Sequence, residues 1–274
     1  MQQLLPYISH LHLFNLTLPG THDAASFFLT SALSPDPTGN AVLDALVKMA
    51  EKLGVPLQDV ITPWALTQSR NLYEQAEDGM RYFDIRAAYN GTDWCSYHFE
   101  LGLPIYTHFS ALNAFLLLHP SEIMVIEVSH LASANLTQKN LNALRDMIIN
   151  IFGPILYPRI YDFNATTIGD MIATNQRAVV TLSDDTTIAN YTQLWYGSSM
   201  INSYANTDSL AKMTSYNWQQ ILQFNSLPSL PSSALSTIEM SRSQLSMTQR
   251  RMLQEKLQVM DYLRQIENVL IEKG

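Results

Sequence analysis

The stretch RNLYEQAEDGMRYFDIRAA, residues 70–88, decides the fold. Arg70 to Gly79 reads as a helix that stops at a glycine, the residue that adopts a left-handed helix cap most easily. Tyr82 to Ala88 then reads as a short buried strand, apolar apart from Asp84 and Arg86 at its end. Outward from this unit the same alternation recurs. Strand-like runs occur at Leu13 to Leu18, Cys95 to Phe99, Ile123 to Val128, Ala178 to Leu182, Met200 to Tyr204, Leu235 to Met240 and Leu257 to Leu263. The last is equally readable as part of a helix over Arg251 to Leu263.

Helical patterns fall between these runs, at Ala41 to Leu53, Ala111 to Leu118, Gln138 to Phe152, Thr167 to Ala173 and Tyr216 to Phe224. In Gln138 to Phe152 the residues Leu141, Leu144, Met147, Ile148 and Ile151 make one apolar stripe, with Thr137 as the N-cap. About eight strands alternating with helices imply crossovers and a parallel sheet, since parallel strands cannot be joined by tight turns. The expected fold is α/β, a distorted (β/α)8 barrel forming a single domain over 1–274. Residues 30–60 are expected to be an insertion, the first part a loop marked by Pro35, Pro37 and Gly39.

Composition narrows the function. The chain is 47% hydrophobic and 15% charged, ordinary for a globular protein, with a formal net charge of −8. That balance argues against a nucleic-acid binder and against docking through a large basic patch. The one cysteine, Cys95, precludes an internal disulfide. Met1 to Thr17 lacks the basic and apolar regions of a signal peptide. Ala114 to Leu118, the longest apolar run, is too short to span a bilayer. The compartment is left open, as are the Asn-x-Ser/Thr sequons at Asn15, Asn90, Asn135, Asn164 and Asn190.

Three strand ends carry reactive groups. Leu18-Pro19-Gly20-Thr21-His22-Asp23 follows the first run, Asp84 and Arg86 end the second, and His98 ends the third in Trp94-Cys95-Ser96-Tyr97-His98. Alone, His-Asp is usually a turn or cap, Asp84 and Arg86 a structural ion pair, and His98 a core histidine. In a barrel these ends share one rim, which hosts the active site. Two histidines and an arginine there suit cleavage of a phosphodiester: one histidine takes a proton, the other gives one, and the arginine holds the anionic oxygens. His108, His119 and His130 read as structural or surface residues. Tyr204, near a late strand end, offers a ring that can stack on a sugar-like face.

The segments LPGTHDAASF, WALTQSRNLYEQAEDGMRYFDIR, YHF, LLLHPSEIMVIEVSHL and TIGDMIATNQRAVVTLSDD cover most of residues 13–185. In them the chain resembles the phosphatidylinositol-specific phospholipase C superfamily, in its X-domain-like and bacterial-type branch. The last third matches poorly. The resemblance implies a distorted barrel that cleaves phosphatidylinositol-like lipids to diacylglycerol and a cyclic inositol phosphate. It implies His22 as general base, His98 as general acid and Arg86 as the clamp that binds the substrate phosphate. Asp23 would pair with His98, Asp84 would orient the site, and Asp261 is the candidate to back His22 from a late strand.

Calcium-dependent relatives carry an asparagine after the first histidine and an acidic residue where Arg86 stands. Asp23 and Arg86 follow the metal-independent pattern, so neither metal nor other cofactor is expected. Phe99 departs from the family, which commonly has glycine after the second histidine. The expected partner is a phospholipid met transiently at a membrane surface, with no nucleic acid and a monomeric protein. The alternatives are the same chemistry on another phosphodiester lipid, or a lipid or inositol-phosphate binding module without turnover.

Overall fold

The computed structural model describes residues 1–35, 47–48, 50–52, 54–203, 205, 207, 209–226 and 235–238. Tyr204, Asp261, the run Leu257 to Leu263 and most of the helix expected at Ala41 to Leu53 lie outside the described residues. The strands are β1 (Gly20–Thr21), β2 (Leu29–Leu33), β3 (Tyr82–Tyr89), β4 (Trp94–His98), β5 (Glu100–Pro104), β6 (Met124–Ser133), β7 (Ala178–Leu182), β8 (Trp195–Tyr196), β9 (Met200–Ser203) and β10 (Leu235–Ile238). The helices are α1 (Leu5–Ile8), α2 (Leu57–Ala65), α3 (Leu72–Glu77), α4 (Ile105–Leu118), α5 (Gln138–Phe152), α6 (Ile168–Ala173) and α7 (Leu210–Ser226).

The α/β class and the distorted barrel type hold, with two changes. The main sheet runs β2-β5-β4-β3-β6-β7-β8, with β1 also on β3, and β9 pairs with β10 in a separate parallel sheet. Among the described residues the strands do not close into a ring. β1, β6, β7 and β8 continue the parallel order about β3, whereas on the other side β3–β4, β4–β5 and β5–β2 are each antiparallel pairs. The reason is chain length: only Asn90 to Asp93 join β3 to β4, too few residues for a crossover. Asn90 takes the backbone N–H groups of Thr92 and Asp93 on its side-chain oxygen at 2.9 Å, and Gly91 sits at φ 103°. Asn-Gly is a hairpin signal.

A second correction concerns the first strand. The run Leu13 to Leu18 is a 3-10 turn over Leu13–Asn15 followed by extended chain, and pairing begins only at Gly20. Its apolar residues serve packing instead, Leu13 being buried beside Tyr82, Val125 and Trp195.

Alternation along β3 builds the molecule. Phe83, Ile85 and Ala87 face a core made with Phe109, Leu112 and Phe115 of α4 and Leu144, Ile148 and Phe152 of α5. Tyr82, Asp84 and Arg86 take the opposite, inner face, as period two demands. Apolar layers fill the bottom of that face: Tyr82, Val125, Val179 and Trp195, with the rings of Phe163 and Trp195 stacked at 4.3 Å. The chain thus keeps its charged pair for the upper part of an otherwise packed interior. α5 has the bounds the sequence predicts, and Thr137 caps it by accepting from the N–H of Asn140. Such a cap contributes roughly 1 kcal/mol.

Candidate active site

β1 is two residues long and ends at Thr21, opposite Phe83. It lies close to β3 because residue 20 is glycine: a Cβ there would stand 2.6 Å from Cδ1 of Tyr82. His22 and Asp23 then leave the sheet beside Asp84, where Ala24 N–H donates to the Asp84 carbonyl at 2.8 Å. Asp23 has φ 49°, in the left-handed region that aspartate tolerates better than most residues. The chain after α2 holds this turn. Gln68 Nε2 donates to the His22 carbonyl at 2.8 Å and Thr67 Oγ1 to that of Asp23 at 3.1 Å. Gln75 Nε2 in α3 donates to the Ala24 carbonyl at 2.9 Å. These three side chains, in the WALTQSRNLYEQ segment, are site-building residues that the sequence reading left without a role.

His98 arrives from the other direction. β4 runs back along β3, with Ser96 opposite Ala87, so its last residue returns toward the level where β1 stops. The site occupies the interval on one edge of β3 between the end of β1 and the end of β4. Asp84 and Arg86 therefore sit inside β3, not at its end as the sequence predicts; the strand continues to Tyr89.

The groups converge on Asp23. Its Oδ1 lies 2.7 Å from Arg86 Nε, and its Oδ2 lies 3.2 Å from His22 Nε2 and 3.5 Å from His98 Nε2. Arg86 Nη2 is 3.5 Å from His22 Nε2. Asp84 Oδ2 lies 2.8 Å from His22 Nδ1, and Ser129 Oγ donates to Asp84 Oδ1 at 3.0 Å. The carboxylate at His22 Nδ1 is thus Asp84, from the neighbouring strand. Ser129 is opposite Arg86 in the β3–β6 register, one step above Glu127, which accepts from the Tyr82 hydroxyl. On the remaining histidine, Nδ1 of His98 is 2.8 Å from the Ala65 carbonyl at the end of α2.

Burial and charge set protonation. Both carboxylates are buried, the His98 side chain is 16% exposed and that of His22 is 37% exposed. Burial pushes Asp84 upward, but the His22 hydrogen bond and the charges of His22 and Arg86 outweigh it and hold the carboxyl below its ordinary range. Burial lowers the pKa of His98, against the charge of Asp23 and the Ala65 carbonyl, which raise it. His108 is also buried, its pKa down to about 4, and bonded to Ser96 Oγ at 3.0 Å, in keeping with a structural role.

His22, Asp23 and Asp84 offer donor atoms within 4.8 Å of one another, a set able to hold a cation. Arg86 already lies on Asp23, and a divalent ion there would face its fixed positive charge.

No family model matches the chain. It is 27% identical over 219 residues to the PI-PLC X domain-containing protein 2 of Homo sapiens, covering 78% of this chain and 68% of that protein. Over 200 residues it is 25% identical to the PI-PLC X domain-containing protein 1 of Mus musculus, covering 71% of this chain and 56% of that one. Among solved structures, the phosphatidylinositol-specific phospholipase C of S. aureus shares the fold with a TM-score of 0.56 at 17% identity, over 87% of this chain and 76% of the other. The enzyme of the same description from Listeria monocytogenes gives 0.55 at 19%, over 83% and 74%. These likenesses bear out the resemblance to the phosphatidylinositol-specific phospholipase C superfamily.

Proposed function

We propose that this phosphatidylinositol-phospholipase-C-like chain is a metal-independent phosphodiesterase acting on phosphatidylinositol or a close relative. One observation carries the reading: a single anion, the Asp23 carboxylate, is met by Arg86 Nε and by Nε2 of both His22 and His98. A phosphate diester presents the same charge and acceptor oxygens beside those groups.

The chemistry follows from the tautomers. With Nδ1–H donating to Asp84, His22 keeps a lone pair on Nε2 and takes the proton of the inositol 2-hydroxyl. That oxygen attacks phosphorus, and the bond from phosphorus to the diacylglycerol oxygen breaks. His98, donating Nδ1–H to the Ala65 carbonyl, gives its Nε2 proton to the departing oxygen. The product is a cyclic inositol phosphate, which water opens slowly by the reverse proton transfers. Arg86 carries the charge that grows on the phosphoryl oxygens.

The deciding assay follows the release of cyclic inositol phosphate from phosphatidylinositol in mixed micelles. Turnover is expected and should persist in excess EDTA; absence of any cyclic product rejects the reading. The His22, Asp23 and Asp84 donor set favours one other reading, a metal-assisted attack by water on a lipid without a neighbouring hydroxyl. A panel of such lipids, with and without divalent ions, separates the two.

Arg86→Lys should lower kcat/KM by about 10². Lysine keeps the charge but not the planar fork that spans Asp23 and a phosphate oxygen together. Full activity in that variant would show that charge alone suffices.

A further inference from the structure

We infer that Phe99 is a positioning residue for His98, holding the imidazole by ring contact from a backbone conformation that glycine would occupy at less cost. The inference rests on the proposed role of His98 as the acid. β4 turns into β5 through this one residue, since His98 pairs with Glu100. The φ of Phe99 is 63°, where the Cβ of an ordinary side chain crowds the carbonyl. Of the four non-glycine residues with positive φ among those described, Asp23 is in the site, Phe99 follows His98 and His130 follows Ser129. Strain gathered in this way marks positions that function holds in place.

The turn itself does not call for an aromatic ring. The Phe99 carbonyl accepts from Ser34 N–H at 2.8 Å, and Glu100 accepts from Thr62 Oγ1 of α2 at 2.8 Å. Glycine at position 99 would leave both bonds in place. What phenylalanine adds is its ring, whose centroid lies 4.7 Å from that of His98 with the planes at 45°. The Ala65 carbonyl fixes one edge of the imidazole, and Asp23, with Arg86 and His22 behind it, meets the other. The Phe99 ring lies against this imidazole, whose burial lowers its pKa.

The test compares Phe99→Gly with Phe99→Tyr, which keeps the ring, by NMR titration of the His98 imidazole, thermal melting and kinetics. Phe99→Gly should melt near the wild-type temperature, and the His98 pKa should rise toward the ordinary 6.5. Its kcat should fall about tenfold at unchanged KM, the effect of a slightly misplaced proton donor. Phe99→Tyr should behave as wild type. A His98 titration unmoved in Phe99→Gly overturns the inference. If that variant does not fold, Phe99→Asn tests the same point, because asparagine also tolerates positive φ. The titration needs no substrate: a wild-type protein inert on phosphatidylinositol would reject the proposed activity, while the imidazole still decides the role of Phe99.

Discussion

Replacing His98 with alanine is expected to lower turnover of phosphatidylinositol by about 10² to 10⁴-fold. Replacing His22 should cost as much, and the double variant little more, because the two act as one unit. The leaving group tells them apart. An inositol phosphate ester of p-nitrophenol needs no proton to depart, so His98→Ala should cleave it nearly as fast as wild type. His22→Ala should fail on both substrates, since the attacking hydroxyl still has to lose its proton. Equal losses on both substrates for His98→Ala would remove His98 from the acid role. The pH profile adds a signed expectation. His98 acts as acid only when protonated, and burial lowers its pKa from 6.5. The basic limb of kcat/KM in the wild type should therefore fall below pH 6.5, and His98→Ala should lose that limb.

The second large effect is expected of Asp84→Asn. The amide is nearly isosteric and keeps the bond from Ser129 possible, so the strand should stand. It removes the charge that fixes the Nδ1–H tautomer of His22 and stabilises the imidazolium formed in the reaction. A loss on the order of 10³ to 10⁴ in kcat is expected, by analogy with the aspartate of a serine-protease triad. Near-normal kcat would mean that another group holds His22. Stability gives an independent reading. The folded pKa of Asp84 lies below its ordinary 3.8. Its contribution is therefore present above that pH and is lost as pH falls through the lower, folded value. Wild type and Asp84→Asn should differ in denaturant midpoint at pH 6 and converge under strongly acidic conditions.

Much of this site was legible in the residues. Asp84 and Arg86 stand two apart in a buried strand, so period two alone puts both on one face. His22 and His98 follow from short apolar runs that stop at an ionisable group. The direction of β4 was not read, although Asn90-Gly91 announces the hairpin that reverses it. No spacing says which side chain leans toward His22, and Asp261, the candidate named above, lies outside the described residues. Asp84 Oδ2 at 2.8 Å from Nδ1 became visible only when β1 was placed on β3. Ser129, Gln68 and Thr67 lie in the segments that carry the resemblance, but nothing marks them individually: they act through single hydrogen bonds, and no spacing rule marks a serine opposite an arginine. Leu13 to Leu18 shows the reverse error, since apolar residues are equally at home in a turn laid over a core.

The interval on the edge of β3 also acts as a ruler. Phe83 fixes the end of β1 and Ala87 fixes the return of β4, so the gap between the two histidines is measured in β3 residues. Each residue is worth about 3.3 Å of rise. Adding or deleting one residue between Phe83 and Ala87 would change the gap by that length and turn Asp84 or Arg86 to the helix side. The separation of the two histidines is thus set along one paired strand, where a change of length cannot be absorbed as it can in an exposed loop.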